Sequence, residues 1–572
     1  MNMKTTSPAV AVAAQRPETS QDAEQPRYSR RDTLFTMISV LMVMLLGSLD
    51  QTIVGTAMPR VIADLQGFSL YTWVTTAYLL TSTVMVPIYG KLSDLFGRKP
   101  IFIFGLIIFL IGSALSGASQ SMIELIAFRA FQGLGAAALL PIAIAVVGDL
   151  FTPRERGKWQ GATGAVFGIS SIIGPAVGGW LTQYASWRWV FYVNLPIGIA
   201  SLFVLIFLMP TLGARKKQVS IDYVGAALLV LGTVPLLLGF TWAGSLYDWL
   251  SPQIIGLFSL TIVSLVAFVI YEAWLARRGG EPILEPGLFK NSIFTISALI
   301  TVVSNMGLFG SIFFIPLFIQ GVLGTSISGS GLVLTPLMLT AVAGSILSGQ
   351  LVSRLGKYKW IAITGMVISL IGSLLLLRLN LHSTNTDVVV AMVILGLGMG
   401  FGMSLYNLIV QNALPTKIGQ ATSAMTFFRS IASTIALAGM GSLMNLAYIP
   451  TFHDALPATV KQTLPAKVLA LFNNPQVLIS ADTQAKMQAA FAALGPNGLT
   501  VYHTVLDAVK IGLVQGIHNI FILSAVIMGI GLVALFFLKE IELRGARSPR
   551  EETLADVAYL ESPDAESVTA NS

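Results

Sequence analysis

The sequence contains no cysteine, which excludes disulfides, thiolate metal sites and cysteine nucleophiles together. It has only four histidines, His382, His453, His503 and His518, none at metal-ligand spacing, so no metal centre is expected. Charge is also scarce: 11% of the 572 residues are Asp, Glu, Lys or Arg, against about 25% in a soluble domain. A chain so poor in charge, 54% hydrophobic and with a mean hydropathy of +0.77, places most of its surface against something other than water. Its first ~30 residues lack an apolar core and are expected to be a disordered tail, not a signal peptide. The net charge of +7 does not point to nucleic acid, because the basic residues sit in short connections between apolar runs.

What the chain does have is a series of apolar runs about 20 residues long, the length that crosses a bilayer as a helix. Fourteen candidate helices fall near 34–57, 70–90, 100–118, 124–148, 159–183, 189–209, 222–242, 254–275, 293–320, 328–353, 360–378, 388–412, 420–446 and 516–538. These runs are far longer than barrel strands, so the expected fold class is an all-α polytopic membrane protein. Alternate connections carry the cations: Arg27, Arg30 and Arg31; Lys91, Arg98 and Lys99; Arg154, Arg156 and Lys158; Arg215, Lys216 and Lys217; Arg277, Arg278 and Lys290. The same side continues with Arg354, Lys357 and Lys359, then Lys417, then Lys539, Arg544 and Arg547, while the opposite loops offer little beyond Arg60, Arg188 and Arg378. The positive-inside rule then puts both termini in the cytoplasm.

The chain repeats itself. GKLSDLFGRKP at 90–100 returns as GQLVSRLGKYK at 349–359, and the glycine pair Gly133 and Gly135 has an echo at Gly396 and Gly398. Two related six-helix bundles, with two central helices inserted between them, account for this. The expected division is a cytoplasmic tail at 1–33, a bundle at 34–210, inserted spans at 211–291, a bundle at 292–540 and a disordered cytoplasmic tail at 541–572. Within the second bundle, residues 447–515 are too polar to span, and two or three short helices are expected there on the outer face.

Two charges lie inside spans. An ionised carboxylate or guanidinium at mid-bilayer costs roughly 2.5–3.5 kcal/mol on insertion scales, so Asp50 in the first run and Arg129 in the fourth each need a partner. They are candidate partners for one another. An arginine favours the ionised carboxylate and desolvation the neutral acid, so the proton affinity of Asp50 would depend on the conformation around it. The alternative is a permanently ionised pair that only ties two spans together. In the turn 90–100, Gly90 and Gly97 permit close or left-handed backbone while Asp94 and Arg98 can pair. The fifth run, with Gly161, Gly164, Gly168, Gly174, Gly178 and Gly179 around Pro175, reads as a thin, bendable helix. Candidate cavity residues are Trp73, Tyr78, Gln132, Asn305, Tyr406, Asn407 and Gln411, since aromatics and amides in spans are natural contacts for an amphipathic cargo; interhelical packing is the competing reading for each.

With these motifs in order the chain resembles the major facilitator superfamily, specifically its fourteen-span drug:proton antiporters. LDQTIVGTAMP resembles the span 1 signature around Asp50, with Gly55 where an Asn is usual. GKLSDLFGRKP matches the shared loop motif, RAFQGLG the proton-linked motif of Arg129, GPAVGG the antiporter motif, and WRWVFYVNLPIG also fits. The resemblance implies export of small molecules driven by proton entry, with no cofactor, by alternating exposure of a central cavity. It implies that Asp50 takes the proton, that Arg129 assists, and that Asp94 and Arg98 latch the cytoplasmic side. Ser353 stands where the first repeat has Asp94, so the latch is expected on one side only. The late spans carry Arg429 and no acid, which disfavours dications. The expected function is proton-coupled export of lipophilic or monocationic drugs across the cytoplasmic membrane. Alternatives are export of an endogenous metabolite, lipid or siderophore, or, in another class, a membrane-embedded enzyme or a sensor. Expected partners are small-molecule cargo, protons and membrane lipid, with a monomeric unit and no nucleic acid; a periplasmic adaptor on the outer loop stays open.

Overall fold

Helices dictated by the apolar runs account for almost all of the computed structural model, which describes residues 29–543 except 66–69, 212–219, 245, 325–326, 474–480 and 493–497. Most of the two tails, with Arg27, Arg544 and Arg547, and the cluster Arg215, Lys216 and Lys217 lie outside the described residues. The chain runs α1 (Arg30–Leu65), α2 (Tyr71–Phe96), α3 (Arg98–Ala118), α4 (Met122–Leu150), α5 (Pro153–Tyr184), α6 (Trp189–Tyr192) and α7 (Asn194–Phe207). It continues with α8 (Tyr223–Trp242), α9 (Pro252–Arg277), α10 (Ser292–Gly321), α11 (Ile327–Leu355), α12 (Lys359–Leu376), α13 (Asn385–Ala413) and α14 (Ile418–Ala455). Three short helices, α15 (Ala458–Thr463), α16 (Ala466–Leu471) and α17 (Ala481–Ala492), precede α18 (Gly498–Phe536).

Thirteen stretches among the described residues are long and apolar enough to cross a membrane, with α6 and α7 acting as one. The fourteenth expected span, α2, is not among them, and its sequence shows why: Thr75, Thr76, Ser82 and Thr83 line an internal cavity instead of meeting lipid. We call the face where α1 begins and α18 ends the tail face, and its opposite the far face.

The buried apolar side chains gather in two large clusters. One is built from residues 288–543, the other from residues 40–283 with Phe427 of α14 reaching across. The repeat legible in the sequence is a repeat of contacts. A Cβ at Gly133 of α4 would strike the Tyr78 carbonyl and the Thr81 side chain of α2, and one at Gly396 of α13 would strike the Leu337 carbonyl and Thr340 of α11. Gly135 seats α4 on Gly105 and Phe109 of α3 in the way Gly398 seats α13 on Gly365 and Ser369 of α12. At the turns, Gly97 and Gly356 both take positive φ, 92° and 67°, where an L side chain is disfavoured. The halves meet along two equivalent seams, α2 on α14 and α11 on α5, each closed by a glycine: Gly90 against Ser423 and Gly349 against the Gly157 carbonyl.

The inserted helices are not bystanders. α8 packs on α9 and also on α2 and α14, beside one seam. On the far side α14 and α18 run 38 and 39 residues, about 58 Å for the longer at 1.5 Å per residue and roughly twice a bilayer core. They continue where the sequence reading placed a loop. The polar residues that argued against spanning belong to helical stretches beyond the length a bilayer core needs, packed around Tyr448, Phe452, Phe472, Phe491 and Tyr502.

Candidate functional site: a buried carboxylate beside a central cavity

Three helices converge on Asp50, whose side chain is fully buried. Arg129 Nη1 donates to its Oδ2 at 2.7 Å, and Gln132 Nε2 and Asn194 Nδ2 donate to its Oδ1 at 2.9 and 3.0 Å. The carboxylate therefore accepts three hydrogen bonds. Local sequence sets each donor. Arg129, Gln132 and Gly133 share one face of α4 at i, i+3 and i+4, and the bare Gly133 admits α2 closely enough to lay the Tyr78 ring over the guanidinium, 4.1 Å from its centroid. Asn194 opens α7 after a break in the helical run; Pro196 sits in that first turn, where an N–H has no intrahelical partner anyway. Asn194 Nδ2 is shared with Ser113 Oγ at 3.0 Å, and Arg129 Nη1 with Gln132 Oε1 at 2.8 Å, so the donors brace one another.

The antiporter-type segment of α5 lies directly alongside. A Cβ at Gly174 would meet the Thr52 side chain and one at Gly178 would meet Thr56 and Ile53, while Thr52 Oγ1 donates to the Ser170 carbonyl at 3.1 Å. Gly174 and Gly178 thus carry α5 against α1 at the level of Asp50. Pro175 is exposed, and a Cβ at Gly179 would meet nothing within 4 Å, so those two members of the motif face away.

On the tail face the two halves are locked. Arg98 pairs with Asp94, donates from Nε to Asp149 Oδ2 at 2.8 Å and from Nη1 to Ser93 Oγ at 2.8 Å. Asp94 Oδ2 in turn accepts the Gln420 backbone N–H of α14 at 2.8 Å, which crosses from one half to the other. Gln420 Nε2 donates to the Pro282 and Ile283 carbonyls at 3.1 and 2.7 Å, and the strap 278–291 is pinned by Lys91 to Glu281 and Lys417 to Glu285, both at 2.6 Å. Deeper in, Gln411 Nε2 donates to the Ile144 carbonyl at 3.2 Å and to Thr422 Oγ1 at 3.1 Å.

Beyond this lock a cavity of about 1340 Å³ opens toward the far face. Its walls come from α1, α2, α4, α5, α8, α10, α12, α13, α14 and α18, with Asn473 of the far-face segment at the rim. That exceeds the ~300–1,000 Å³ of an ordinary small-molecule pocket. Leu79, Leu140, Phe167, Phe240, Phe309 and Leu317 make much of the lining apolar; Arg129 and Tyr78 form part of it and screen Asp50 behind them.

Of the residues singled out in the sequence, Tyr78, Asn305, Tyr406 and Asn407 line this cavity. Three do not. Gln132 is fully buried against Asp50, Gln411 belongs to the tail-face lock, and Trp73 packs edge-on against Trp242 of α8 at 5.9 Å. In each case an amide or aromatic found a nearer partner than cargo, which residue type alone does not reveal. Asn194, Asp149, Gln420 and the α8 wall were missed. Asn194 carried a signal, an amide opening an apolar run; the others depend on the far half of the chain. Glu272 was missed too: it is buried in α9 beside Asp222 and accepts the Ile283 N–H at 3.3 Å.

The sequence profile of the Major Facilitator Superfamily matches residues 40–437. The chain is 38% identical over 556 residues, 95% of its own length and 99% of the relative's, to the multidrug transporter protein MdtP of Bacillus subtilis (strain 168). It is 36% identical over 513 residues to multidrug resistance protein 3 of the same organism, covering 88% of this chain and 95% of that one. In fold it is similar to the human organic anion transporter MFSD10 (TETRAN), with a TM-score of 0.55 over 72% of this chain and 93% of the other at 15% identity.

Proposed function

The chain belongs to the Major Facilitator Superfamily, and from that premise we propose that it exports lipophilic, drug-like compounds in exchange for protons, with Asp50 as the proton carrier. It is a multi-pass membrane transporter related to multidrug exporters, and not an enzyme. The observation that carries the coupling is the placing of Asp50 in a nest of three donors directly behind the cavity wall. Arg129 belongs to both the nest and the wall, so any movement of the wall changes what the carboxylate touches.

The positive-inside rule makes the tail face cytoplasmic, since Lys91, Arg98, Lys158, Arg278, Lys357, Lys417 and Lys539 all lie in its connections or in the helix ends that flank them. The cavity then faces outward, with cargo site open and cytoplasmic lock closed. In that state a proton arriving from outside competes with Arg129 for the carboxylate. Taking it weakens the ion pair with Arg129 and favours the opposite opening, where cargo enters. Exchange requires only that proton and cargo favour opposite conformations. The motif Gly174 and Gly178 supports this reading by placing α5 against α1 beside Asp50, so that bending of one helix is felt by the other. Of the two cargo classes suggested by the sequence, the cavity favours the lipophilic over the monocationic: among the described residues no carboxylate lines it, so a monocation finds no counter-charge there.

The test is substrate-induced pH change in proteoliposomes. Asp50→Asn is expected to abolish proton release on cargo addition while the variant still inserts and binds cargo, with a melting temperature lowered by the loss of Arg129's partner; proton-linked export by that variant would refute the assignment.

A further inference from the structure

We infer that Arg429 forms an anion subsite at the floor of the cavity, and that the preferred cargo is an amphipath carrying a carboxylate. This rests on the reading of the cavity as the cargo site. It goes beyond it in naming the charge of the cargo.

Arg429 lies on α14 within the apolar run of that helix, and its side chain lines the cavity. An arginine at this depth costs roughly 2.5–3.5 kcal/mol to insert unless it is compensated. The other cavity arginine, Arg129, is compensated by Asp50 at 2.7 Å. Arg429 is not: among the described residues it makes no ion pair and no side-chain hydrogen bond, and its one neighbour of note is the Phe167 ring, 5.9 Å away. Among the described residues the cavity lining holds two guanidiniums and no Asp or Glu. Its field is therefore positive, and the unneutralised part of it comes from α14.

The surroundings suit a carboxylate. Asn407 of α13 lines both the cavity and a small void under the guanidinium, and its amide has no hydrogen-bond partner among the described residues. The planar guanidinium offers paired donors matched to two carboxylate oxygens, with the Asn407 amide available as a third. Above them, Phe309, Phe313 and Leu317 of α10 give an apolar wall for the rest of the molecule. Arg429 and Asn407 belong to the second half of the chain and Asp50 and Arg129 to the first, so an anion at Arg429 leaves the Asp50 pair intact. Cargo and proton then occupy opposite walls.

The experiment uses three fluorescent probes of one skeleton: dansyl-undecanoic acid, its methyl ester, and the corresponding trimethylammonium compound. Equilibrium binding to the purified full chain in nanodiscs, with no proton gradient, gives the ratio of carboxylate to ester affinity. We expect at least a tenfold preference for the carboxylate over both others, falling to near unity in Arg429→Gln and largely kept in Arg429→Lys. A melting curve for each variant reports folding, and Arg429→Met, expected to lose the preference in the same way, carries the comparison should the glutamine variant not fold. Equal affinity for acid and ester, preference for the cation, no binding of the acid, or a preference unchanged by Arg429→Gln would overturn the subsite. Because no gradient is present, these results are independent of proton coupling: loss of coupling in the Asp50→Asn assay with the carboxylate preference intact, or the reverse, separates the two claims.

Discussion

Removing Arg129 would leave Asp50 buried with only the neutral donors Gln132 and Asn194, and breaking a buried ion pair at one member typically costs about 3–5 kcal/mol. Arg129→Met is therefore expected to lower the melting temperature of the purified protein strongly. Asn194→Leu removes one donor from Asp50 and the donor to Ser113 Oγ, which keeps only its bond to the Phe191 carbonyl, a loss of about 1–3 kcal/mol. The double variant Asp50→Asn, Arg129→Met should be less damaged than the two single losses summed, because the partners are coupled; additive losses in the thermal scans would deny the pair. These two charges were legible from the sequence, since a charge in a spanning run has to be accounted for wherever the chain goes. Gln132 was not, because an amide on a helix face is suited equally to cargo, to a carboxylate or to a backbone carbonyl.

For the helices, the decisive contacts are the glycine seams and the lock they carry. A valine at Gly90 would meet Ser423 and the Gly419 carbonyl of α14, so Gly90→Val is expected to hold the tail face apart. Asp94→Asn acts on the same seam by removing the charge that holds Arg98 and receives the Gln420 N–H. Since the chain has no cysteine, a single cysteine in place of the buried Thr163 reports this opening cleanly. Its maleimide labelling should rise at least fivefold with either substitution, the size expected for a shift of about 1 kcal/mol or more in a two-state equilibrium. Unchanged labelling would mean that the lock does not govern access. The repeat itself was readable from glycine spacing, but its chemistry is confined to one copy. Contact equivalence of Gly133 with Gly396 sets Met392 opposite Arg129 and Leu395 opposite Gln132, both fully buried and apolar. The second half keeps the scaffold and omits the polar relay, as Ser353 omits the carboxylate of Asp94.

At the scale of the whole molecule, a cavity open on one face and locked on the other makes a prediction about sidedness. Single cysteines at Thr241 and Ser433, both on the cavity wall, should react with a membrane-impermeant maleimide added outside intact cells, and one at Thr163 should not. The reverse pattern would place the tail face outside. The amino-acid sequence alone settled that the chain is helical and spans a membrane, that its halves are related, and that Asp50 and Arg129 need partners. Those properties follow from local physics: the length of apolar runs, the cost of a charge in hydrocarbon and the recurrence of small residues. What only the tertiary structure decided is which polar groups meet, because Asp50 with Asn194, Asp94 with Gln420 and the isolation of Arg429 are facts about segments far apart in the chain. The same holds for the inserted helices, whose apolar composition gave no sign that α8 would wall the cavity, and for α14 and α18, whose polar ends leave the bilayer as helices. Packing between distant segments, and not the character of any one of them, determines where cargo and proton can sit.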